Sequence, residues 1–120
     1  MQTARTTTEP LQPGSFEGQR RQRRHQQRVA RIARQLRERR STAPLSRHKR
    51  VVSHQVPKVN DRKHTDEKID LRDLDEVLEI DTRQRIAIAE PGVPFCRLVE
   101  HTLPHGLVPM VVPELKTITI

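Results

Sequence analysis

Apolar residues follow three different rhythms along this chain. In Gln19–Arg40, "QRRQRRHQQRVARIARQLRERR", Val29, Ile32, Ala33 and Leu36 fall at i, i+3, i+4 and i+7, a narrow stripe along one face of a helix. Ser41-Thr42-Ala43-Pro44 stops that helix, because proline cannot continue it. From Ile69 the rhythm shortens: "IDLRDLDEVLEID" alternates apolar and acidic residues, and Val77–Asp81 suits a strand. "TRQ" turns the chain, and "RIAIAEPG" (Arg85–Gly92) is a second strand ended by Pro91-Gly92. The period then lengthens over Pro94–His105, where Phe95, Leu98, Val99, Thr102 and Leu103 recur at helical spacing before Gly106, a natural helix stop. Leu107–Val112 reads as a third strand. After a turn at Pro113–Lys116, Thr117–Ile120 begins a fourth.

Two stretches lack rhythm. Met1–Gly18, rich in Thr, Gln, Pro and Gly, reads as disordered. Ser46–Lys68 is polar and basic, with a short strand and loop expected within Arg50–Pro57. The expected organisation is therefore a disordered Arg-rich tail over 1–45, with a candidate amphipathic helix at 19–40, joined to an α+β unit over 46–120 in which strands flank one helix.

Composition sharpens that division. The 120 residues are 32% hydrophobic, with no Trp or Tyr and two Phe. Apolar surface this sparse does not offset backbone ordering over the whole length. Residues 1–50 hold 14 Lys+Arg against 3 Asp+Glu, and residues 51–120 hold 9 against 12, so the net +8 belongs to the first part. With few apolar groups to bury, residues 1–40 are expected to add little to the stability of the rest. The lone Cys96 excludes an intramolecular disulfide, and a reducing compartment is the default. The longest apolar run, Leu107–Val112, is too short to cross a bilayer, and the N-terminus lacks a signal-peptide core. The expected place is the cytoplasm, with peripheral membrane attachment left open.

Candidate chemistry is thin. The Arg-rich helix suits phosphates of nucleic acid or an anionic membrane, but it lacks base-stacking aromatics, its apolar stripe is too narrow for firm membrane insertion, and a solvated tail is the better reading. His101 and His105, spaced i, i+4, either share a metal or stand as helix-end charges. Cys96, early in its helix, has no partner in register and reads as core. Asp70, Asp73, Asp75, Glu76, Glu79 and Asp81 alternate with apolar residues and read as a solvated outer face.

One resemblance covers about Arg50–Ile120, more than half of the chain. "VLEIDTRQRIAIAEPGVPFCRLVEHTLPHGLVPMVVPELKTITI" (Val77–Ile120) resembles the opening half of the FAD-binding domain of FAD-linked oxidases, the PCMH-type or vanillyl-alcohol-oxidase-like family. The residues that carry it are Ala89-Glu90-Pro91-Gly92-Val93, Gly106-Leu107, Pro109, Pro113 and Thr117-Ile118-Thr119-Ile120. "VLEID" and "VPELKTITI" point towards the branch of 24-dehydrocholesterol-reductase-like proteins and their bacterial relatives. The resemblance implies an FAD-dependent oxidoreductase passing hydride between a small-molecule, sterol-like or lipid substrate and the flavin.

By the same resemblance, FAD contacts fall on Ser53, His54, Val112, Pro113, Thr117, Ile118, Thr119 and Ile120. Many members carry a glycine-containing loop where Val51-Val52-Ser53-His54 stands here, so the resemblance implies non-covalent FAD. In the family the strand matching Thr117–Ile120 runs into a Gly-Gly turn that lets the backbone approach the diphosphate. The chain stops before such a turn and reads as an N-terminal fragment, inactive alone, with no catalytic residue to assign. The alternative is a small basic protein binding nucleic acid or an anionic membrane through the Arg-rich helix.

Overall fold

The computed structural model describes residues 11–50, 64–111, 113–115 and 117–120. The elements are α1 (Phe16–Glu38), β1 (Leu45–His48), β2 (Glu67–Asp70), β3 (Val77–Asp81), β4 (Ile86–Ala89) and α2 (Phe95–Thr102), which tightens into a 3-10 turn at Leu103–His105. The molecule is a small α+β fold, as the element pattern predicted at that level.

Helix α1 begins where local chemistry provides a start. The Ser15 hydroxyl accepts the Gly18 amide at 3.1 Å, satisfying one of the free N–H groups of the first turn. Glu17, near the positive end of the helix dipole, pairs with Arg21 at 3.0 Å one turn on. The helix starts three residues before the expected span and ends two residues before it.

The strands form two pairs. β1 and β2 run parallel, Leu45 opposite Glu67 and His48 opposite Asp70. β3 and β4 form an antiparallel hairpin, with Val77 opposite Ala89 and Asp81 opposite Ile86. The Asp81 side chain accepts the Gln84 amide at 2.8 Å, and Arg85 takes the left-handed conformation that closes the turn (φ 58°). A bulge between Val77 and Glu79 breaks strict alternation, so the adjacent Val77 and Leu78 are both buried.

The core gathers Val77, Ile80, Val93, Leu98 and Leu11, with Ala89, Phe95 and Leu107 packed against it. Leu11 is 2% exposed, and its carbonyl accepts the Ile80 amide at 2.7 Å. Gln12 extends the contact, donating to the Thr82 hydroxyl at 3.1 Å. Where the sequence pattern suggested a loose tail, residues 11–12 and α1 lie against the hairpin. Gly92 marks another close approach: its amide bonds the Leu74 carbonyl at 2.7 Å, and a Cβ there would overlap that same oxygen.

The third expected strand, Leu107–Val112, is absent over its described residues 107–111, where Val108, Met110 and Val111 stand exposed. Pro109 removes a ladder donor, and among the described residues no strand lies alongside to satisfy the rest. The fourth, at Thr117–Ile120, is reduced to one antiparallel bridge between Pro94 and Thr119. The short strand expected within Arg50–Pro57 falls, beyond Arg50, outside the described residues.

Candidate functional site

Two places in this fold gather chemistry. The first is the seam between α1 and the acidic segments. Arg21, Arg24, Arg28, Arg31 and Gln35 recur every three or four residues, so they share one helical face. Arg21 donates to the Val77 carbonyl at 2.8 Å. Arg24 reaches both carboxylate oxygens of Glu76 at 3.1 and 3.2 Å. Arg31 bonds the Asp70 carbonyl at 3.0 Å and the Asp73 carboxylate at 2.7 Å. Gln35 bonds the Lys68 carbonyl at 3.3 Å, and Arg39 pairs with Glu67 at 2.6 Å.

Glu90 is the centre of this seam. Its side chain is fully buried, and it accepts from Arg28 Nη1 at 3.0 and 3.2 Å and from the Glu76 amide at 2.8 Å. His25 Nδ1 lies 2.9 Å from the same carboxylate. Arg28 also touches Glu76 at 3.2 Å, so one guanidinium bridges two acids. Burial opposes charge on both Arg28 and Glu76, but their mutual hydrogen bonds and those to Glu90 and Arg24 outweigh it. The Arg28 pKa is raised and the Glu76 pKa lowered. Among the described residues no buried side-chain nitrogen or oxygen lacks a partner, so the seam is a closed network.

Sequence alternation reads Asp73 and Glu76 as a solvated outer face, whereas α1 lies over them and its arginines take both carboxylates. Glu90, part of the AEPGV stretch, passed unremarked as an acid. The available signal was the arginine period on α1, which matches a docked face as well as a solvated one.

The second place is the segment the family resemblance marked for FAD. The Phe95 amide bonds the Ile118 carbonyl at 2.8 Å, and the Ile120 amide bonds the Val93 carbonyl at 3.0 Å. Thr117–Ile120 is thus fastened to the Val93–Phe95 stretch at the start of α2. Lys49, which sequence reasoning did not single out, donates from Nζ to the Thr119 hydroxyl at 2.8 Å. Burial, then the neighbouring Arg47 charge, hold the Lys49 pKa below the ordinary lysine value. Pro113 is partly buried before this segment and Thr117 is exposed. Ser53, His54 and Val112 lie outside the described residues.

Other charge clusters neutralise themselves. A cleft of about 510 Å³ is lined by Arg31, Arg50, Asp70, Arg72 and Asp73. There Arg72 pairs with Asp70 at 2.8 Å and Arg50 with Asp75 at 3.1 Å. Hydrogen bonds from the Arg72 side chain and amide hold the Asp70 carboxyl well below its usual range. No group of three or more His, Cys, Asp or Glu suited to a metal occurs among the described residues. His101 is half-buried, and burial, then the Arg21 charge, lower its pKa against the pull of Glu100. Among the described residues no helix is long and apolar enough to cross a membrane. No protein-family model, characterised protein or solved structure matches this chain.

Proposed function

We propose that this chain is the N-terminal part of a PCMH-type FAD-binding domain in an oxidoreductase of the FAD-linked oxidase family, nearest the sterol-reductase-like branch, and that it holds FAD non-covalently. The observation that supports the reading is the bridge between Pro94 and Thr119, which sets Thr117–Ile120 beside the AEPGV turn with the Lys49 ammonium on its hydroxyl. In the resemblance Thr117–Ile120 are among the residues that contact FAD, and Lys49 is an addition from the fold.

The donor set fits a diphosphate in part. The amides of Ile118 and Ile120 are committed to Leu115 and Val93. The amides of Thr117 and Thr119 and the Thr117 hydroxyl bond no other described residue. Backbone donors in a turn supply partial positive charge without long side-chain stems, and Lys49 adds a full one. Bound there, the flavin supplies the N5 position that exchanges hydride with substrate. The residues of this chain hold and orient the diphosphate end.

The test is an amide NMR titration of the chain with FAD. Shifts are expected at Lys49 and Thr117–Ile120, with affinity weaker than micromolar, about −8 kcal/mol, because these residues bury only part of so large a ligand. Lys49→Ala should remove those shifts and leave the remaining spectrum in place. An unchanged Thr117–Ile120 segment at millimolar FAD sets the reading aside.

A further inference from the structure

Apart from Arg20, which pairs with Glu17 within the helix, the arginines of α1 and of Arg39-Arg40 just after it divide into two sets. Arg21, Arg24, Arg28, Arg31 and Arg39 face the body and are bound there to carboxylates or carbonyls. Arg23, Arg34, Arg37 and Arg40 are exposed and pair with no described carboxylate. At 100° per residue, Arg23, Arg34 and Arg37 fall on the side of the helix opposite Arg28, and Val29, Ala33 and Leu36 lie on the arc beside them. Val29 and Leu36 remain 44% and 46% exposed, although they carry the apolar pattern that would ordinarily dock a helix. Phe16 stands 64% exposed at the first turn. The helix is therefore docked by its polar face and leaves a half-exposed apolar stripe bordered on its outer side by guanidiniums that pair with no described carboxylate.

We propose that this outward face of α1 is a peripheral docking surface for an anionic phospholipid bilayer. Charge complementarity selects an anionic occupant: the outward row is cationic, and its guanidiniums are built to take phosphate oxygens in pairs. The neighbouring stripe selects a bilayer over a nucleic acid. Val29 and Leu36 gain by entering the headgroup–acyl boundary, whereas a phosphodiester backbone offers them nothing apolar to bury against. Residues 51–120 carry net −3, so attraction comes from the helix face and orients the acidic body away from the membrane. This surface is separate from Lys49 and Thr117–Ile120, and its test does not depend on FAD.

The experiment is co-sedimentation of the full chain with vesicles of phosphatidylcholine containing about one-third phosphatidylserine, compared with phosphatidylcholine alone. Binding is expected only to the anionic vesicles. Replacing Arg23, Arg34 and Arg37 together by Gln should lower partitioning about a hundredfold, near fivefold for each charge. Leu36→Gln should lower it about tenfold through lost insertion. The three arginines pair with no described carboxylate and Leu36 is 46% exposed, so the variants should retain the parent fold. The chain has no Trp, so Val29→Trp gives a clean reporter whose emission should shift to the blue on the anionic vesicles. Equal binding to both vesicle types overturns the proposal, as does full binding by the triple variant or an unshifted Trp in the sedimented complex. Binding to a duplex oligonucleotide in place of vesicles assigns the face to nucleic acid and likewise overturns it.

Discussion

The two ends of this molecule reverse their apparent roles. Phe16–Glu38 has the composition of a tail, yet it is fastened to the body along its length. Leu107–Val111 has the composition of a buried strand, yet Val108, Met110 and Val111 face solvent. The difference lies in where the partners are. An arginine row becomes structural once carboxylates of matching spacing stand opposite it, and here Glu76 lies 52 residues from Arg24 and Glu90 62 residues from Arg28 in sequence. An apolar run becomes a strand only when another strand takes its backbone groups, and among the described residues none lies beside Leu107–Val111.

The largest test of this contrast is removal of residues 1–40. The sequence alone predicts a small effect, since this stretch offers little apolar surface. The structure predicts the opposite. Deletion uncovers the Glu90 carboxylate, strips Leu11 from the core, and leaves Glu76, Glu67 and Asp73 without their arginines. Loss of a cooperative melt, or a drop of about 10 °C or more, is expected for several kcal/mol in a domain this small. A truncated chain that melts like the parent would mean that the seam contributes nothing.

A narrower comparison sets one inward arginine against one outward arginine on the same helix. Arg28→Ala leaves a fully buried carboxylate with only His25 and the Glu76 amide, which should cost about 3 kcal/mol. Arg23→Ala removes an exposed guanidinium with no described partner and should stay within about 0.5 kcal/mol. Urea unfolding of the two variants reads the difference directly. Equal losses would show that general helix propensity, not the seam, sets the effect.

Acid should loosen the same contact. The Glu76 carboxyl titrates below its ordinary value near 4.5 when folded, because the Arg24 and Arg28 bonds outweigh the opposing effect of burial. Its contribution is therefore present above that ordinary value and is lost as the pH falls through the lowered folded one. The melting temperature should decline between about pH 5 and 3, and less steeply in Glu76→Gln, which starts lower at neutral pH. Parallel pH profiles for the two proteins would remove Glu76 from the acid response.

The sequence was legible where the forces are local. Val77–Asp81, Ile86–Ala89 and Phe95–Thr102 follow from period, from the Pro91-Gly92 break and from Gly106, whose left-handed conformation ends the 3-10 turn (φ 68°). The parallel β1–β2 pair was missed because Leu45–His48 and Glu67–Asp70 are short, mostly polar, and become strands only through each other. The resemblance marked Thr117–Ile120, but nothing local reveals that Lys49 reaches Thr119, a contact between residues 70 positions apart. Glu90 was illegible for the same reason: a carboxylate before Pro-Gly reads as turn surface until a distant guanidinium is brought over it.

The smallest expected effect completes the contrast at the other end. Met110 is fully exposed, so Met110→Ser removes a side chain that contributes no burial. If Leu107–Val111 were a buried strand, a polar substitution at its centre would cost 2 kcal/mol or more, roughly the loss from a core methionine. In the observed arrangement the change in unfolding free energy should fall within about 0.5 kcal/mol. The same substitution on the partly buried, core-contacting Leu107 should cost measurably more. Leu107 and Val111 share one parity, so a half-buried strand would cover both, whereas the observed loop covers Leu107 and leaves Val111 71% exposed. Denaturation of Leu107→Ser, Val108→Ser, Met110→Ser and Val111→Ser decides it. A loss at both 108 and 110 would indicate that this segment is covered in solution. A loss at 107 alone keeps it as an uncovered loop anchored by its first residue.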